Sequence, residues 1–390
     1  MTHDIPLASN SSRGTVHDAK PMRVLMVHWD GGGNMPPQRA LARELKRRGH
    51  DIHVLTHNTL AETVIKDGGT FHALDTVPQY DPTQPHSYDE ENAFLQHHVC
   101  GSPAFAADFL NAYDALSPDV CLVDAMLITT LNAAIERGLY FAAVDHLAWN
   151  PAGAAFLNSF AAALPGRAAG STFYGLLDRV PLVLAASYPD FGVQQGIASH
   201  IHFVGPIREP VAPAPWPRRF PDRPFVLVSL SSTFQEQDAT LRRICDALAP
   251  LPLEVLVTTG WSIAPEALVV SGCIEARSFA PHDAVLPSVD LVLTHAGLGT
   301  LMYSAGVGAP CLCLPNGRDQ NNNAARVATL GLGRVLSPNA TPPEIREAVK
   351  DMLRDETLHA TCQSFAARVN RFGDLARAAD LVEECAQVTP

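Results

Sequence analysis

Leu291-Val292-Leu293-Thr294-His295-Ala296-Gly297-Leu298-Gly299-Thr300 begins with four apolar or β-branched residues and ends in a histidine and a glycine-rich turn. A small-residue segment from Leu301 to Gly308 then reads as a helix. This is a strand–turn–helix junction with bare backbone amides and an exposed positive dipole end, a cradle suited to a phosphate or diphosphate. Phosphate loops are common. The signal narrows at Pro315-Asn316-Gly317-Arg318-Asp319-Gln320, which follows a second apolar strand, Pro310 to Leu314. An acceptor-only carboxylate beside an amide suits the hydroxyls of a sugar.

The same rhythm runs outward in both directions. Arg23–Val27 reads as a strand, Pro37–Arg48 as an amphipathic helix closed by Gly49, and Asp51–Thr56 as the next strand. Val120–Val123, Thr129–Arg137 and Tyr140–Asp145 repeat strand, helix and strand, and Leu182–Ala186 and His202–Val204 complete the unit. Alternation of this kind implies a parallel sheet covered on both faces. Thr76–Pro103 is polar and rich in Pro and His, which reads as a long surface loop lining an acceptor cleft.

Glu209–Pro224 holds six prolines (Pro210, Pro213, Pro215, Pro217, Pro221, Pro224) and reads as a stiff linker. Beyond it the pattern restarts with strands at Phe225–Ser229, Glu254–Thr258, Val289–Thr294 and Ala309–Leu314, and a helix at Gln237–Leu248. The expected architecture is α/β, with two Rossmann-like domains whose parallel sheets face a cleft. Its parts are a flexible leader (1–21), a first domain (22–208), the linker (209–224), a second domain (225–373) and a terminal helical segment (374–390).

The chain has 390 residues, enough for two full cores, with 47% hydrophobic and 17% charged residues. A formal net charge of −12 argues against nucleic acid or an anionic membrane surface as partner. No segment has the length of uninterrupted apolar sequence that a membrane span needs. Residues 1–21 lack the apolar stretch of a signal peptide. The eight cysteines lie mainly in apolar contexts without C-x-x-C pairing, which suggests reduced thiols in the cytoplasm.

The loop at His295 and the Asp319-Gln320 pair together resemble the nucleotide-sugar site of family 1 glycosyltransferases of the GT-B fold. Ser278-Phe279-Ala280-Pro281-His282-Asp283-Ala284-Val285-Leu286-Pro287 resembles that family's nucleobase loop, and Asn321-Asn322-Asn323-Ala324-Ala325-Arg326-Val327 continues the Asp-Gln motif in the family's manner. The resemblance covers nearly the whole chain from Met22 and is strongest in the C-terminal half. It implies that the terminal helix crosses back onto the first domain. It also implies that backbone amides of Gly297, Gly299 and Thr300, the Thr300 hydroxyl and His295 hold the donor diphosphate, joined by Ser231 and Ser232 of Ser229-Leu230-Ser231-Ser232-Thr233. Thr258-Thr259-Gly260-Trp261 is a similar strand-end turn. Phe279 and His282 would receive base and ribose, and Asp319 and Gln320 the sugar. Tyr303 stands where the family commonly has a ribose-binding glutamate. The ribose contact is then lost, replaced by the phenol, or suited to deoxyribose. Asn323 reads as a structural or phosphate-proximal polar residue.

Asp30-Gly31-Gly32-Gly33-Asn34-Met35-Pro36-Pro37 follows the first strand. Many members of the family read Gly-His-x-x-Pro here, and that histidine is the general base; Asn34 takes its position. An asparagine accepts no proton at neutral pH, and general-base assistance is worth about 10²–10⁴ in rate. Asp124 lies where the family's aspartate orients the histidine. Three readings stay open: Asp124 or Asp30 is the base, with a carboxylate ranked first; His28 or His146 reaches the acceptor from a neighbouring strand end; or the acceptor is acidic enough to need only positioning, with Asn34 bonded to it. Trp149, Asn150 and the apolar run Ala152–Leu164 are candidate linings of the acceptor cleft.

The resemblance implies an inverting glycosyltransferase that moves a (deoxy)sugar from a dTDP- or UDP-sugar to a hydrophobic natural-product acceptor, needing neither cofactor nor metal. A homodimer is the assembly to consider. The alternatives are a catalytically impaired nucleotide-sugar-binding partner protein and a sugar-nucleotide epimerase on the same fold.

Overall fold

The computed structural model describes residues 20–387 apart from 82, 151–153, 163–171, 193–196, 210–215, 269–271 and 370–374. Residues 1–19 of the expected leader (1–21), the linker prolines at 210, 213 and 215, both ends of the apolar run at 152–164 and the boundary at 373–374 lie outside the described residues.

Two parallel sheets carry the fold. The first has seven strands: β1 (Arg23–Val27), β2 (Asp51–Thr56), β3 (Thr70–Ala73), β4 (Val120–Asp124), β5 (Phe141–Asp145), β6 (Leu182–Ala185) and β7 (Ile201–Phe203). Their order is β3-β2-β1-β4-β5-β6-β7. The second has six: β8 (Phe225–Ser229), β9 (Glu254–Thr258), β10 (Ile274–Arg277), β11 (Leu291–Thr294), β12 (Cys311–Cys313) and β13 (Gly333–Val335), in the order β10-β9-β8-β11-β12-β13. Strand order therefore reverses between β1 and β4 in one sheet and between β8 and β11 in the other. In open α/β sheets the crevice at such a reversal, beyond the carboxyl ends of the strands, is where ligands bind.

The central strands are apolar throughout because both faces are covered. Leu25 and Val27 enter one hydrophobic cluster with Phe105, Phe109 and Phe141, while Val24 and Met26 enter another with Leu41 and Leu45. That alternation is the period-two geometry of a strand buried on both sides. The Leu375–Gln387 helix seats Leu375, Ala378, Ala379 and Val382 in the second of these clusters, on the first sheet. It is pinned there by Arg48, which reaches Asp380 at 2.7 Å and Glu383 at 3.0 Å.

The sequence boundaries hold to within a few residues, with two instructive differences. Helix Met35–Arg47 starts earlier than expected because Pro36 and Pro37 fit its first positions, where no amide partner is needed. The region read as a surface loop, Thr76–Pro103, instead contains a helix at Tyr88–Phe94, a wide turn at Leu95–Cys100 and the start of helix Pro103–Leu116. Its polar surface hid a Ser87/Glu90 capping box and the buried Leu95, Val99 and Cys100. All eight cysteines are free thiols, and among the described residues no helix is long and apolar enough to cross a membrane.

Candidate active site

The two reversal points meet. A Cβ on Gly32, after β1, would lie 2.5 Å from Thr233 Cγ2 and 3.2 Å from Ser232 Oγ, after β8. Gly32 also has φ +72°, so the position excludes side chains on both counts. The glycine run is thus a place of close approach between the two halves of the cleft.

On the far side, β11 ends at Thr294 and the Leu298–Val307 helix begins three residues before the expected start. Gly297 precedes it without any side-chain cap. The amides of Leu298, Gly299 and Thr300 therefore point out of the first turn without intrahelical partners. The His295 ring lies over Gly297, where a Cβ would come within 2.8 Å of its Cε1 and Nε2. Burial, with the Arg318 charge adding to it, takes the imidazole down to about 3, so it is neutral at physiological pH. Ala296 is held at φ +70°, a strained value for a non-glycine residue, and its carbonyl accepts from Asn323 Nδ2 at 3.0 Å. The same Nδ2 donates to Asp319 Oδ2 at 2.8 Å. Asn323 thus ties the loop expected to hold phosphate to the residue expected to hold the sugar, and Asp319 Oδ1 has no protein donor among the described residues.

The other donor residues divide. Ser232 is exposed, whereas Ser231 Oγ accepts from the Thr233 amide at 3.1 Å and from Gln235 Nε2 at 2.8 Å. Gln320 is 2% exposed: its Oε1 accepts from the Asn316 amide and its Nε2 donates to Gln235 Oε1, both at 2.8 Å. Gln320 thus turns inward to Asn316 and Gln235, and one of its two Nε2 hydrogens stays available for a further acceptor. Phe279 is 61% exposed and lies parallel to the equally exposed Trp261, with ring centroids 6.1 Å apart. His282 turns inward to Ser229 Oγ at 3.1 Å, itself bonded by Thr258, and burial takes its imidazole down to about 4. Tyr303 lies beneath the Arg208 guanidinium, 4.8 Å from the ring centre, and Arg208 pairs with Asp283 at 3.1 Å.

The acceptor side centres on Asp124, which is wholly buried at the end of β4. Asn34 Nδ2 donates to its Oδ2 at 2.7 Å and to the Trp29 carbonyl at 2.9 Å, while the Met126 amide donates to its Oδ1 at 2.9 Å. A carboxylate so enclosed is a poor direct base, and the geometry makes it a positioning group. Asp30 Oδ2 accepts from Thr59 at 2.8 Å, and burial lifts its carboxyl above the ordinary range. His28 is enclosed against Thr56, and burial followed by the charge of His57 takes it to about 3. His28 is closed to an acceptor, while Asp30 keeps 8% exposure. His146, after β5, has Nδ1 3.7 Å from Asp124 Oδ1. Trp149 is 4% exposed and stands edge-on to Tyr174, so it builds the core and not the cleft lining. Asn150 does reach an interdomain slot, lined also by Leu147, Ala148 and Tyr174 on one side and Asp319 and Asn322 on the other.

Sequence reading missed three participants. Arg318 was quoted without a role; its guanidinium pairs with the buried Glu91 from the Tyr88–Phe94 helix. Gln235 bridges the serine loop to Gln320. Asp145, at the end of β5, is wholly buried with Oδ2 unpartnered. Burial, opposed by the Leu147 amide and reinforced by Asp124 and Asp319, lifts its carboxyl to about 7. Its strand-end position beside Asp124 was the one available signal.

Comparison with known proteins agrees with this geometry. Residues 242–371 match the family described as erythromycin biosynthesis protein CIII-like, C-terminal domain. Demethyllactenocin mycarosyltransferase of Streptomyces fradiae is 29% identical over 191 residues, 47% of this chain and 40% of that protein. The strongest curated matches align with about half the chain and less than half of their own length. The calicheamicin glycosyltransferase CalG4 superposes with a TM-score of 0.77 at 23% identity, covering 95% of this chain and 100% of that one. The glycosyltransferase VinC, solved in complex with dTDP, superposes with a TM-score of 0.68 at 20% identity, covering 94% and 100%. The chain thus shares the fold of solved glycosyltransferases, and its residues 242–371 match the erythromycin biosynthesis protein CIII-like C-terminal domain.

Proposed function

We propose that this chain is an inverting glycosyltransferase that moves a sugar from a dTDP- or UDP-sugar to a hydrophobic small-molecule acceptor. The observation that carries the reading is the uncapped start of the Leu298–Val307 helix, with the His295 ring over it and Asp319 tied to the same loop through Asn323. Nucleotide departure places growing negative charge on a diphosphate oxygen. Preorganised amides, a helix dipole and a neutral imidazole donor stabilise that charge without reorganising, and typically contribute the largest share of the rate. These donors supply the stabilisation that a bound cation would otherwise give, so the reaction needs no metal in this reading. The stacked Trp261 and Phe279 offer a π-surface to the base, and the Asn150–Tyr174 side of the slot offers a partly apolar wall to the acceptor. The eight free thiols fit a reducing compartment, and we place the protein in the cytoplasm on that ground.

Single-turnover assays with a panel of dTDP- and UDP-sugars and hydrophobic hydroxyl acceptors test the proposal. Nucleoside diphosphate release coupled to glycoside formation with inverted anomeric configuration is the expected result. Donor binding without transfer to any acceptor would show a nucleotide-sugar-binding protein that is not a transferase.

A further inference from the structure

If the chain transfers sugars, the proton of the acceptor hydroxyl needs a recipient, and Asn34 cannot be it. We infer that His146 is the general base, a histidine supplied from the end of β5 and oriented by the same Asp124 that Asn34 holds from the end of β1. The inference rests on the transferase reading above.

Three observations support it. First, His146 Nδ1 is buried without a hydrogen-bond partner, 3.7 Å from Asp124 Oδ1. A buried polar atom left unpaired costs about 1–3 kcal/mol, and a slight approach would close this contact. Catalytic hydrogen bonds are often long in unliganded structures and tighten with substrate. Second, Asp124 has capacity for it. A carboxylate offers roughly four lone-pair positions, and its donors among the described residues, Asn34 Nδ2 and the Met126 amide, leave room for Nδ1–H. Third, the His146 side chain keeps 11% exposure although Nδ1 has none, so the opening is on the side of the ring away from Asp124. The next residues, Leu147 and Ala148, line the slot facing Asp319.

The rival bases are less available. His28 is closed off as described, one oxygen of Asp30 is engaged by Thr59, and His57 is taken to about 4, chiefly by burial. Asp145 has a free oxygen but no exposure. The carboxylate that faces His146 is Asp124, on β4.

In the step itself, the acceptor oxygen forms a bond to the anomeric carbon as the bond from that carbon to the diphosphate oxygen breaks. The nucleoside diphosphate leaves with the electron pair. His146 Nε2 takes the hydroxyl proton, Asp124 steadies the imidazolium through Nδ1–H, and the proton passes to solvent after release.

The test compares wild type, H146Q and N34H/H146Q on dTDP-glucose with two acceptors, a steroid secondary alcohol and 4-nitrophenol. The phenol ionises unaided near neutral pH, whereas the alcohol does not. H146Q is expected to slow kcat for the alcohol about 10²–10⁴-fold, to affect 4-nitrophenol far less, and to leave dTDP affinity unchanged. N34H/H146Q, which returns a histidine to the other flank of Asp124, should recover part of the alcohol rate. An H146Q enzyme that keeps its alcohol rate, or loses both acceptors equally while still binding dTDP, overturns the inference while leaving the transferase reading intact. No transfer by wild type overturns both. Should H146Q fail to bind dTDP, a crystal structure of wild type with dTDP and the alcohol decides: the hydroxyl within about 3.2 Å of His146 Nε2 supports the assignment, and a hydroxyl on Asp145 or Asp30 overturns it.

Discussion

The donor and acceptor halves of the cleft are built by different means. The proposed donor cradle is one continuous segment, β11 through the Leu298–Val307 helix, and the groups it offers are mainly backbone amides that any sequence with those glycines would present. The acceptor centre is assembled from three strand ends: Asn34 after β1, Asp124 on β4, and Asp145 with His146 at β5. Its properties rest on side chains and burial. A local device is robust to substitution elsewhere, whereas an assembled one can exchange which strand supplies a given group. Asn34 is one such group: from the end of β1 it supplies a hydrogen-bond donor to Asp124 on β4.

The two halves are also latched together, and the latch gives the largest expected effect. Glu91 is 4% exposed and pairs with Arg318, 18% exposed, immediately before Asp319. Glu91→Ala would leave a largely buried guanidinium uncompensated, at a cost of about 3–5 kcal/mol in unfolding free energy by denaturant titration. E91M/R318M should recover most of that loss. A stability unchanged by E91A would mean that the halves are joined by other contacts.

Asp145 sharpens the contrast through pH. Its carboxyl is held at about 7 by burial, against an ordinary value near 3.8, so between those pH values the folded state binds a proton that the unfolded chain releases. Its contribution is therefore lost as pH rises through that window and is fully lost above about 7. Asparagine keeps the bond from the Leu147 amide and needs no proton. The stability gain of D145N over wild type should thus grow from pH 4 to pH 8, reaching about 4 kcal/mol. A gain independent of pH would remove Asp145 as a strained acid.

A smaller effect is expected on the donor side at Phe279. Losing one face of a stacked base costs about 1–3 kcal/mol, so Phe279→Ala should weaken dTDP binding roughly 5- to 150-fold with stability unchanged, as the ring is 61% exposed. Unchanged dTDP affinity would move the base away from the Trp261–Phe279 pair.

What could be read from sequence follows the same division. The strands and the glycine turn were legible because strand–turn–helix signals are local. The Tyr88–Phe94 helix was not, because its first turn is acidic (Asp89, Glu90, Glu91) and its one buried side chain is a glutamate whose partner lies 227 residues away. Nothing in the Gln320 motif announces its bond to Gln235, 85 residues earlier. Asp124 looked like a base because sequence cannot show that Asn34 and the Met126 amide enclose it.

The central claim is that the loop from His295 to Thr300 grips a nucleoside diphosphate. Calorimetric titration of dTDP into wild type and His295→Ala tests it most directly. One hydrogen bond to a charged group is worth about 1.5–3 kcal/mol, which predicts that the variant binds roughly 10- to 150-fold more weakly while keeping its fold. Equal affinity of the two proteins, or no binding by wild type, would contradict the account.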